Sequence, residues 1–124
     1  PEGMEDGFFA KPTVFAGVTN DMRIAQEEIF GPVLVMIPFD TEAEAIAMAN
    51  DSAYGLAAYV NTASEDRAAR VSRRLQAGMV SVNQVCFAKG SPFGGVKLSG
   101  LGREGGLFGL EDFTEIKTVA TARN

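Results

Sequence analysis

Glu27-Glu28-Ile29-Phe30-Gly31-Pro32-Val33 is the stretch on which the reading of this chain turns. Two carboxylates and an aromatic ring stand at the mouth of an apolar run. Gly31 precedes Pro32, and a residue before proline is pushed from the helical region into an extended conformation. Any helix carrying Glu27 and Glu28 should therefore stop about here. Beyond it, Val33 to Ile37 reads Val-Leu-Val-Met-Ile between Pro32 and Pro38, apolar at consecutive positions. Such a run suits a strand covered on both faces. An ionised carboxylate at this point can accept both hydroxyls of a ribose, as acidic residues do in dinucleotide sites, and Phe30 is placed to flank a flat ring. The same residues also describe a solvated helix end with a core phenylalanine beside it, so spacing alone leaves both readings open.

Working outward, residues 1–7 form an acidic, Gly-rich entry loop, and Phe8 to Thr19 reads as extended. Thr13, Val14, Phe15 and Val18 favour strand, while Pro12 restricts its start to an edge or a strand end. Asn20 is expected to N-cap a short helix, with Asp21 in its first turn and Met22, Ile24 and Ala25 leading to Glu28. Downstream, Thr41-Glu42-Ala43-Glu44 has capping-box spacing, and Ala43, Ile46 and Ala47 recur at helical intervals up to Asn50-Asp51. Leu56 to Val60 reads as a strand after Gly55. A second helix follows, capped by Thr62 or Ser64, with Ala68, Val71 and Leu75 on its apolar face. Its Arg67, Arg70, Arg73 and Arg74 lack interleaved aromatics and read as a solvated face. Met79 to Val82 is a third strand. Strand, helix, strand, helix, strand at these lengths predicts parallel pairing, and so an α/β fold with flanking helices and functional loops at the strand C-terminal ends.

Seven of the fourteen glycines fall between Gly90 and Gly106. The segment 86–106 also carries Phe87, Phe93, Val96 and Leu98, which marks a shaped loop rather than a linker. Gly100-Leu101-Gly102-Arg103-Glu104-Gly105 formally fits the Gly-x-Gly-x-x-Gly dinucleotide pattern, but Ser91-Pro92-Phe93-Gly94-Gly95 interrupts the strand that the fingerprint requires in front of it. Leu107, Leu110 and Phe113 suggest a last helical turn. Phe113 to Arg123 alternates, with Ile116, Thr118, Ala120 and Ala122 on one side and Glu115, Lys117 and Arg123 on the other. It reads as a strand with no neighbour in this chain.

Arg23-Ile24-Ala25-Gln26-Glu27-Glu28-Ile29-Phe30-Gly31-Pro32-Val33 resembles the segment of NAD(P)-dependent aldehyde dehydrogenases whose second Glu binds the nicotinamide ribose. Ser91-Pro92-Phe93-Gly94-Gly95-Val96-Lys97, with Ser99-Gly100 and Gly102-Arg103-Glu104-Gly105-Gly106, resembles that family's Gly-rich segment near the C-terminus. The two lie in the family's order, and the similarity runs from about Gly7 to Ala120. The resemblance implies that residues 1–112 are part of a catalytic domain and that 113–124 form an oligomerisation strand joining another copy of the chain in a homodimer or homotetramer. It implies Glu28 and Phe30 as contacts of NAD or NADP, and Phe93, with Phe87 as a weaker carry-over, as walls of an aldehyde tunnel. In the complete enzyme a Cys thiolate attacks the aldehyde, hydride passes to the cofactor, and a Glu-activated water releases the acid. Neither that Cys nor that Glu matches a residue here, so no catalytic residue is assigned and the chain alone is expected to be inactive. Cys86 follows Glu28, on the wrong side for the nucleophile, and reads as a small buried hydrophobe.

The chain has 124 residues, long enough to bury about 65% of its unfolded surface around one core. Family members are several times longer, so this is either a C-terminal piece or a stand-alone relic, and the absence of an initiating Met at Pro1 favours the piece. A net charge of -5 argues against nucleic acid or an anionic membrane as partner. No apolar run approaches the ~20 residues that span a bilayer, which makes cytoplasm the expected location. One Cys and no His offer no transition-metal constellation. The reading from another class is a non-catalytic α/β module kept for protein association.

Overall fold

The computed structural model describes residues 2–83 and 87–122. It divides into two compact units, Pro1–Ser52 and Ala53–Asn124. The first unit contains β1 (Thr13–Ala16), α1 (Arg23–Gln26), β2 (Val33–Met36) and α2 (Glu42–Asn50). Parallel pairing of β1 with β2 sets Thr13 opposite Val33 and Ala16 opposite Met36. Thr13 N–H donates to the Pro32 carbonyl at 2.9 Å, so the ladder begins at the proline that ends the acidic segment.

Three expectations change in this unit. Asn20 does not cap α1: the N-cap is Met22, with no side-chain bond, and Thr19 donates instead to the Asp21 carboxylate. The helix stops at Gln26, one residue short of the carboxylates, with Glu27 extended at φ -102°, ψ 140°. β2 is covered on one face only, since Val33 and Val35 are half-buried while Leu34 is 59% and Met36 55% exposed. A two-stranded sheet needs a second layer to close that face. The capping box at α2 forms as read, with Glu44 N–H donating to Thr41 Oγ1 at 3.2 Å. Its reciprocal arm reaches one residue further back, Glu44 Oε2 accepting from Asp40 N–H at 2.8 Å. Ile46, on the anticipated apolar face, is buried.

The second unit contains β3 (Ala57–Val60), α3 (Glu65–Arg74), β4 (Met79–Val82), a 3₁₀ turn (Lys97–Ser99) and α4 (Gly106–Glu111). β3 and β4 pair in parallel, from Ala57 opposite Met79 to Val60 opposite Val82. The parallel α/β arrangement is thus present, but divided between two two-stranded sheets, because β2 takes β1 as its partner. Ser64 is the cap of α3, accepting from Arg67 N–H at 3.2 Å, and Arg73 and Arg74 in the last turn suit the helix dipole. Asn83 leaves β4 in the left-handed region (φ 51°), and its amide closes the sheet end by accepting from Thr62 N–H at 2.9 Å and donating to the Thr62 carbonyl at 3.0 Å.

The Gly-rich segment is folded back on the β3–β4 unit rather than open. The Gly55 carbonyl accepts from both Gly78 and Val96 N–H at 3.0 Å. Phe93 and Glu104 form a reciprocal antiparallel bridge with both bonds at 2.7 Å. A Cβ on Gly78 would overlap the Gly94 carbonyl, and one on Gly106, already at φ 61°, would overlap that of Gly90. The Lys97–Ser99 turn, not a strand, precedes Gly100. Residues 114–122 carry no ladder among the described residues, and Phe113, Ile116 and Val119 are 88%, 98% and 77% exposed.

Candidate functional site

Glu28 and Phe30 meet on one groove of about 420 Å³ in the first unit, whose walls include Ile24, Glu27, Gly31 and Leu34. The groove lies where α1 has ended and β2 has not begun. That gap exists because a four-residue helix cannot reach the proline, so Glu27 to Gly31 cross it as irregular chain.

The two neighbouring carboxylates differ sharply. Glu27 Oε1 accepts from Arg23 Nε at 2.8 Å, an i,i+4 pair on the surface of α1. That bond to the Arg23 guanidinium holds the Glu27 carboxyl below the usual carboxylate range. Glu28 makes no hydrogen bond or ion pair among the described residues, and its carboxylate is exposed on the groove. An ionised carboxylate is an acceptor only, with room for two donors. The vicinal hydroxyls of a ribose supply two donors at matching separation, so the chemistry of this wall fits such a group.

Phe30 stands at φ 56°, and its side chain is 93% exposed. A bulky residue in the left-handed region costs on the order of 1–3 kcal/mol, and such strain persists where surroundings impose it, often beside a ligand. Among the described residues, none covers the ring enough to bury it.

Phe87 and Phe93 belong to the second unit and are 49% and 51% exposed. Phe93 is fixed through its backbone by the bridge to Glu104. Cys86 lies outside the described residues. Residues with another reading in the sequence, or with no role assigned there, make the hydrogen bonds that tie these segments together. Arg103 Nη1 donates to the Gly95 carbonyl at 2.7 Å and to the Gly102 carbonyl at 2.9 Å, while Asp112 Oδ2 accepts from Arg103 N–H at 2.8 Å. Asn20 and Gln26 tie α1 to Asp51 at the end of α2. Their only signal was residue type, since an amide side chain in a loop shows its donors but not its acceptor.

The sequence profile of the aldehyde dehydrogenase family matches residues 1–119. The chain belongs to that family. Among curated relatives, 3-succinoylsemialdehyde-pyridine dehydrogenase of a Pseudomonas species is 51% identical over 119 residues, 96% of this chain and 25% of the relative. A putative aldehyde dehydrogenase of Staphylococcus saprophyticus is 50% identical over 120 residues, 97% of this chain and 25% of its own length. Among solved structures, aldehyde dehydrogenase from Mycobacterium tuberculosis in complex with NAD+ superposes with a TM-score of 0.87 at 56% identity, covering 93% of this chain and 24% of that one. An NAD+ complex from Bacillus cereus gives the same TM-score at 50% identity, over 93% and 24%. The chain thus spans about a quarter of the length of the aldehyde dehydrogenases it matches. Among the described residues, no helix is long and apolar enough to cross a membrane.

Proposed function

We propose that this chain is the C-terminal portion of an aldehyde dehydrogenase that oxidises an aldehyde to a carboxylic acid with NAD(P)+, and that Glu28 receives the nicotinamide ribose. The observation that carries the assignment is the split between neighbours: Glu27 is occupied by Arg23, whereas Glu28 faces the groove with no partner among the described residues. Phe30 borders the bound ring from the same groove. NAD+ in the two superposed structures supports the cofactor class. A bound nicotinamide would supply the hydride acceptor for the oxidation. The work of this chain is to orient the ribose, to wall the aldehyde with Phe93 and Phe87, and to join subunits through residues 113–124. The nucleophile and the general base are supplied by other segments, so the chain by itself does not turn over aldehyde. A cytoplasmic location accords with this reading.

Glu28→Gln in the full-length enzyme tests it. Loss of charge-assisted hydrogen bonds costs about 1.5–3 kcal/mol, roughly ten- to a hundredfold, in cofactor KM or hydride-transfer rate. Glu27→Gln should leave both near parental values. The reverse pattern would show that the wrong carboxylate has been named.

A further inference from the structure

We infer that Gln26 is a positioning residue for Glu28, acting through the C-terminal end of α2; this rests on the ribose reading of Glu28. α1 has four residues, no side-chain cap at Met22 and no buried residue. An isolated turn of that length does not persist in water. Amide bonds hold it instead. Gln26 Nε2 donates to the Asn20 carbonyl at 2.7 Å and to the Asp51 carbonyl at 3.0 Å. Asn20 Nδ2 donates to Asp51 Oδ2 at 2.9 Å and to the same Asp51 carbonyl at 3.3 Å.

Asp51 is the C-cap of α2. Carbonyls at a helix C-terminus lack intrahelical partners and carry partial negative charge, so side-chain amides are well matched to them. α2 in turn is fixed by the Thr41 cap and by the buried Ile46. The chain of support therefore runs from a packed helix through Asp51 to Gln26, and Glu28 follows two residues later. Arg23 and Glu27 bind each other on the open surface of α1 and, among the described residues, their side chains tie it to nothing else. A carboxylate that must meet two hydroxyls at once gains from a fixed starting position, and Gln26 supplies the anchor nearest to it.

The test is a set of variants in the full-length enzyme. Gln26→Met keeps the length of the side chain and removes both donors. It should raise the NAD+ KM by about three- to tenfold, the range of one or two neutral hydrogen bonds, with aldehyde KM and thermal midpoint unchanged. Gln26→Lys, which restores a donor at similar reach, should recover most of the loss. In a Glu28→Gln background, Gln26→Met should add nothing, because its effect passes through Glu28. A loss that multiplies that of Glu28→Gln, or an equal fall in every kinetic constant together with the melting temperature, overturns the role of Gln26. A Glu28→Gln without effect instead removes the ribose assignment and the inference with it. If Gln26→Met does not fold, Asn20→Ala carries the same comparison: it should raise the NAD+ KM in the parental background and not in Glu28→Gln, and no rise overturns the proposal.

Discussion

Two adjacent glutamates that look equivalent in sequence part company at the level of single atoms. Arg23 lies four residues before Glu27 on the same helical face, so it captures that carboxylate and leaves the next one to the groove. The pair is fully exposed, so its contribution to stability is small. Its sign is nonetheless defined. The Glu27 carboxyl is depressed in the folded state by the Arg23 guanidinium, so whatever it contributes is present above the unfolded carboxyl's titration and is lost as pH falls through the folded value. Carboxyl-resolved NMR should show Glu27 titrating below the ordinary carboxylate range, and Arg23→Ala should return it to that range. Coincident titration of Glu27 in both proteins would mean that the pair does not persist in solution. Phe93 offers a second test at this scale. Phe93→Ala in the full-length enzyme should reorder kcat/KM among aldehydes of different bulk, by about 1–3 kcal/mol, and leave cofactor affinity unchanged. A uniform loss for every aldehyde with a lower melting temperature would reduce the ring to a loop anchor.

Among the elements, those with a local cause were legible in the sequence and those set by distant partners were not. Thr41 and Ser64 cap their helices through bonds to residues three positions on, and Met79–Val82 is a strand at the boundaries its residues suggest. α1 was legible as a short helix, but its cap was not, because Asn20, read as the cap, reaches instead with Gln26 to Asp51, 31 and 25 residues away. Parallel pairing was read correctly, but the choice of partners was not: an apolar run shows that β2 is a strand, while the choice of β1 as its partner is made in three dimensions. The same logic governs the tail. Ile116 is 98% exposed in a stretch of alternating character, and unpaired backbone of that kind invites a ladder with another chain. Proline removes a ladder donor, so Ile116→Pro or Thr118→Pro in the full-length enzyme should lower the oligomeric mass seen by light scattering before the protomer unfolds. Parental mass and stability in both variants would show that residues 113–124 are not the subunit joint.

Over the whole molecule, the expectation of one core closing round 124 residues does not hold. Among the described residues, Val18, Ile46 and Met79 are the buried hydrophobic side chains, whereas Phe8, Phe30, Phe113 and Ile116 are each more than four-fifths exposed. Hydrophobic pattern marks the side chains that need cover and says nothing of which chain supplies it. The chain spans about a quarter of the length of its relatives. The candidate site follows the same division. Glu28 and Phe30 were singled out by the resemblance of their segment, spacing alone leaving two readings open, and the structure sets both on one groove; the anchoring amides were not legible, because their acceptor lies 25 to 31 residues along the chain. The most direct measurement is a crystal structure of the full-length enzyme with NAD+ bound. The Glu28 carboxylate should lie within hydrogen-bonding distance of both nicotinamide ribose hydroxyls, with Glu27 still paired to Arg23. Ribose hydroxyls held by Glu27, or by neither carboxylate, would contradict the assignment of Glu28.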